Sequence, residues 1–144
     1  MATVIKIKNL PEGYQSIITN GRHTIIGDEP TKSKGTDLGL SPSELVLSGL
    51  AMCKVATVRF IARKNNWEIG EVIAKLSQEV KREPDALKTN VKIAIHIDGD
   101  ISQEQKDELL KQVNACYVHR QIMGKWNIEH ATELEELNLQ TLNN

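Results

Sequence analysis

The stretch from Leu45 to Ala62 is the most apolar in the chain, and it constrains everything around it. It follows Ser41-Pro42-Ser43-Glu44, which reads as a helix start. Ser41 can accept from the first free backbone N–H groups, Pro42 suits the first turn, and Glu44 completes a capping-box pattern. Asn65-Asn66 supplies a stop. A helix over 42–65 is therefore predicted, apolar on most of its circumference. A chain of 144 residues has little else with which to cover such a helix on every side. Part of the cover is expected from a second subunit. Lys54 and Arg59 interrupt the run, which argues against a membrane span.

The segments on either side read as strands. Val4–Leu10 and Tyr14–Thr19 flank the turn-forming Pro11-Glu12-Gly13, and Asn20-Gly21 separates Ile17-Ile18-Thr19 from His23-Thr24-Ile25-Ile26. Asn-Gly between apolar runs is a strong hairpin signal, so a three-stranded antiparallel meander is predicted. Residues 28–40 form a polar loop with Pro30, Gly35 and Gly39. After the helix, residues 71–82 alternate with Val72, Ala74, Leu76 and Val80 on one side. Glu83-Pro84-Asp85 turns the chain, and Val91, Ile93, Ile95 and Ile97 alternate in their turn. Ser102 is expected to cap a helix reaching about Ala115. A short helix is expected from near Cys116 to before Gly124, and a last strand over 126–134. The order implies an α+β class, one domain over 1–144, with helices packed on an antiparallel sheet.

Aromatic residues are scarce at 3%, so aliphatic side chains must build the core. The net charge of −1 provides no basic patch for nucleic acid and no attraction to an anionic membrane. The opening segment Met1–Lys8 has no continuous apolar run after its charges, so a secretory leader is not expected and the cytoplasm is the expected location. A permanent disulfide is uncommon there, whereas a transient catalytic one is not.

Two cysteines, Cys53 and Cys116, are the candidates for chemistry. On a helix Met52, Cys53, Ala56, Thr57 and Phe60 share one stripe. A free cysteine in such surroundings most often packs as a small core side chain. Cys53 lies too far into the helix for the dipole to act on it, and Lys54 projects about 100° away around the axis. Cys116, opening a short helix, is better placed to ionise. Arg120 falls on its face, and His119 stands three residues on. Cys116-x-x-His119 admits a resolving thiol or a two-ligand metal corner. Structural zinc needs four ligands, and no second pair supplies the others, so no metal is expected. His119 otherwise reads as a solvated helix residue. His23, His96 and His130 have no titratable neighbour at helical spacing. GxSxG, GxGxxG and GKS/T motifs are absent.

Ser41-Pro42-Ser43-Glu44-Leu45, followed by apolar and small residues up to Cys53, resembles the central-helix motif of the OsmC/Ohr family. These are the osmotically inducible and organic-hydroperoxide-resistance proteins. Cys116-Tyr117-Val118-His119-Arg120 is similar to that family's second-cysteine motif, and residues 23–30 followed by a glycine-containing loop fit its OsmC-like branch. The resemblance implies an intertwined homodimer, with an antiparallel sheet wrapped around two central helices. It also implies a peroxidatic Cys53, oxidised by a small-molecule peroxide to a sulfenic acid, and a resolving Cys116 that captures it as a disulfide. A dithiol would then reduce the disulfide, and since both redox steps belong to sulfur the resemblance implies no organic cofactor. An apolar cleft would favour alkyl peroxides, each buried methylene contributing about 0.8 kcal/mol. Active members pair the thiolate with an Arg from the first hairpin, held by a Glu ten residues before the cysteine. Here the first turn has no Arg, position 43 is Ser, and Arg22 lies at the second hairpin. Glu44 falls on the opposite side of the helix from Cys53. The alternative reading is therefore a non-catalytic module of the same fold, holding a small thiol, persulfide or apolar ligand at the dimer interface.

Overall fold

The computed structural model describes residues 2–135. Strands β1 (Lys6–Asn9), β2 (Ser16–Thr19) and β3 (Thr24–Gly27) form the expected antiparallel meander, with β2 in the middle. Registers such as Ile7 opposite Ile18 and Ile18 opposite Ile25 keep apolar side chains together across the sheet. Asn20 closes the second hairpin through its side chain, which accepts from the N–H groups of Arg22 and His23. Helix α1 spans Pro42–Lys64. Its start is the predicted box: the Glu44 N–H donates to Ser41 Oγ, and the Ser41 N–H donates to Glu44 Oε1.

Strands β4 (Val72–Glu83) and β5 (Ala86–Ile97) form a long hairpin around Pro84-Asp85. Helix α2 (Gln103–Val113) carries a full capping box between Ser102 and Gln105. Helix α3 (Tyr117–Met123) starts from Cys116 as its N-cap. The class is α+β with antiparallel sheets, as expected. The sheet, however, is divided within one chain into a three-stranded and a two-stranded piece.

The expected strand over 126–134 is absent; the backbone there is irregular and exposed. A strand needs a partner for its N–H and C=O groups, and no strand among the described residues pairs with it. Trp126 instead donates its indole N–H to the Gln121 carbonyl.

The chain divides into two compact units, a first that runs up to Val46 and resumes at Asn127, and a second that spans Leu47–Trp126. In the first unit the loop after β3 is drawn in around Asp28. Gly35 and Gly39 permit this, because a Cβ on either would strike a backbone carbonyl, that of Glu29 or of Ile26. In the second unit the core consists of Val58, Ile61 and Ala62 from α1, Ile97 from β5, and Leu109 and Val113 from α2. Trp67, Ile69, Val72, Ile95 and Ile101 pack around it. These aliphatic residues make the core, as the composition required.

The buried stripe of α1 is Leu50, Lys54, Val58, Ile61 and Ala62. The stripe picked out by sequence, Met52–Phe60, is the outer flank: Met52, Ala56 and Phe60 are exposed, and only Cys53 and Thr57 are half-buried. On a helix apolar nearly all round, the pattern does not say which side faces inward.

Candidate functional site

Consecutive residues of α1 grip the junction between α2 and α3. Cys53 is half-buried, and its sulfur accepts the backbone N–H of Val118 at 3.3 Å. Val118 is the second residue of α3, so this is one of the donors that helix geometry leaves without an internal partner. Cys116, the N-cap, leaves the donor to Cys53, since its own thiol makes no capping bond. Cys116 is 1% exposed. The two cysteines thus meet the same short helix start, one as its N-cap and one as the acceptor for its second N–H.

Lys54, one residue on, is completely buried. Its ammonium donates to the Val113 carbonyl at 3.2 Å and lies 3.0 Å from His119 Nδ1. The Val113 carbonyl ends α2 and also accepts the Cys116 N–H at 3.2 Å. Cys116 and Lys54 therefore share one acceptor. With Lys54 as an ammonium, which can only donate, the tautomer that fits this contact accepts at Nδ1 and carries its proton on Nε2. Among the described residues the partners of Lys54 are a carbonyl and an imidazole, and burial of a cation without an anionic partner is costly.

Sequence reasoning placed Lys54 away from the site and His119 in solvent. Both expectations are corrected here: Lys54 points inward, and His119 is half-buried against it. The signal available was spacing, since Lys54 stands four residues from both Leu50 and Val58 on the buried face. Arg120 does share a helix with Cys116, but its guanidinium lies over the Tyr117 ring, 5.8 Å from the centroid. Glu44 is occupied at the start of α1. Its carboxyl is held below the ordinary range by the Ser41 backbone N–H and then by the Ser41 hydroxyl. Among the described residues no cluster of three or more His, Cys, Asp or Glu side chains has the arrangement of a metal site.

The family described as OsmC-like protein matches residues 35–131, more than half of the chain and inclusive of both cysteines. The chain belongs to the OsmC-like protein family. Among solved structures, an OsmC-like protein from Mycoplasma pneumoniae superposes with a TM-score of 0.68 at 21% identity, covering 86% of this chain and 89% of that one. An organic hydroperoxide resistance protein OsmC from Legionella pneumophila gives 0.65 at 20% identity, covering 86% and 90%. The organic hydroperoxide resistance protein OhrB of Bacillus subtilis gives 0.62 at 20% identity, covering 86% and 92%. No protein of curated function matches the chain. At these identities the superpositions establish the OsmC fold over most of the chain. In this OsmC-like chain, the two motif cysteines come from α1 and from the α2–α3 junction, which the second unit alone brings together.

Proposed function

We propose that this OsmC-like protein is a thiol peroxidase that reduces organic hydroperoxides, with Cys53 peroxidatic and Cys116 resolving. The family match and fold neighbours named for organic hydroperoxide resistance support a role in peroxide resistance. The observation that carries the finer reading is the Val118 N–H aimed at the Cys53 sulfur, at the start of the helix that Cys116 caps. A donor of this kind binds an anionic sulfur more strongly than a neutral one. Cys53 is also the more accessible of the two thiols, as the sulfur that meets peroxide should be.

In the first step the Cys53 thiolate attacks the terminal oxygen of the hydroperoxide. An S–O bond forms, the O–O bond breaks, and the alkoxide leaves and is protonated to an alcohol. The Cys116 thiol then displaces hydroxide from the sulfenic acid, giving a disulfide and water. A dithiol reductant returns both cysteines to thiols and becomes a disulfide itself.

The test is thiol loss on titration with cumene or tert-butyl hydroperoxide. The unmutated protein should lose two thiols per peroxide, Cys53→Ser should consume none, and Cys116→Ser should stop at a sulfenic acid trappable by dimedone. Unchanged consumption by Cys53→Ser would sink the assignment. A second reading, a non-catalytic module binding a small thiol, persulfide or apolar ligand, is favoured by the engagement of Glu44 with Ser41. It predicts no peroxide consumption by any of the three proteins.

A further inference from the structure

The Lys54–His119 pair is built into the core of the second unit and has no part in the thiol chemistry as described above. Its geometry is specific. Nδ1 of His119 is taken by the buried ammonium at 3.0 Å. Nε2 has no hydrogen-bond partner among the described residues, and His119 is only half-buried, so this nitrogen is not committed to the protein. His119 follows Val118, whose N–H rests on the Cys53 sulfur, and it lies one helical turn from Cys116. An imidazole with one nitrogen tied to a proton source and the other free can pass a proton along its ring.

We infer that His119 is the general acid for the alcohol leaving group, with Lys54 as the residue that orients its ring and resupplies its proton. The inference rests on the peroxidase reading of Cys53. When the thiolate takes the terminal oxygen of the hydroperoxide, the O–O bond delivers its electron pair to the alkoxide. A proton moves from the Lys54 ammonium to Nδ1, and the Nε2 proton passes to the alkoxide oxygen. The products are the sulfenic acid, the alcohol, a neutral imidazole protonated at Nδ1 and a neutral lysine amine. One proton from water restores the pair through the same ring. An alkoxide is a poor leaving group, so the step gains from a positioned acid. A carboxylate is a good one and does not need it.

That contrast separates the relay from a structural role. In Cys116→Ser protein the rate of sulfenic acid formation on Cys53 is measured with cumene hydroperoxide and with peracetic acid. His119→Asn keeps an acceptor for Lys54 where Nδ1 stands and removes the acid. It should slow the alkyl hydroperoxide reaction about a hundredfold while leaving the peracid reaction within a few-fold, the loss expected for a missing general acid. Lys54→Met should show the same selectivity, and its peracid rate reports whether the site has remained folded. Equal rates with and without His119, or equal slowing with both oxidants, would overturn the relay and leave the peroxidase reading standing. Failure of the Cys116→Ser protein itself to react with either oxidant would overturn both.

Discussion

Asp28 is a carboxylate with almost no exposed surface, and its partners among the described residues are N–H groups and a hydroxyl. Burial alone would raise its pKa. The Thr36 hydroxyl and the N–H groups of Leu38, Glu29 and Tyr14 overcome that and hold it far below the usual carboxylate range. Its two oxygens thereby tie β3 to the turn before β2 and to the loop that follows. The sign of the linkage is that of a depressed acid. Its contribution is complete above the unfolded-state value near 3.8 and fades as pH falls from there toward the folded-state value. Thermal melts should therefore show Asp28→Asn clearly less stable than the unmutated protein at pH 7, with the gap narrowing at pH 3 and below. A gap that does not depend on pH would show that shape rather than charge is at stake.

Among the elements, α1 bears the most weight. By length and composition it is apolar enough to cross a membrane. Its two interior cations nonetheless bond within the protein, Lys54 as described and Arg59 to the carbonyls of Ile69 and Gly70. With Val58, Ile61 and Ala62 in the core cluster, α1 is a core helix. Its partner α2 is short and contributes Leu109, which is 0% exposed, and Val113. Leu109→Ala should cost about 2–5 kcal/mol in urea denaturation, because the rigid α1 and β5 cannot collapse into the space left. A cost below about 1 kcal/mol would mean that the α2 contact is not part of the cooperative core. The capping box at Ser41 and the cap at Ser102 lay open to sequence reading because a cap is local, made by side chains three residues apart.

Across the whole molecule, the outer flank of α1 stays uncovered in a single chain. Val46 is 65% exposed, Met52 72% and Phe60 67%. An apolar face of this kind on one long helix calls for a partner. A second copy of the chain, as the sequence pattern anticipated, would provide it. Sedimentation at micromolar concentration should therefore give a dimer. Met52→Glu combined with Phe60→Glu should shift the equilibrium toward monomer without unfolding the second unit, since neither side chain belongs to its core. A monomeric unmutated protein would remove this expectation.

The sequence alone determined what is local or periodic: five strands, three helices, the capping box at Ser41, the cap at Ser102, the hairpin turns and the two cysteine motifs. Alternation, 3.6-residue spacing and cap chemistry all act over a few residues, so they can be read without knowing what lies opposite. Tertiary structure decided which face of α1 turned inward, because a helix apolar all round has no preferred side until α2 and β5 pack on it. It therefore also decided that Lys54 is buried and meets His119, 65 residues away. It left residues 126–134 without a strand partner among the described residues, although their own pattern favoured one. It brought Cys53 to the start of the helix that Cys116 caps, because the free N–H of Val118 and the sulfur met only once α1 and α3 had packed together.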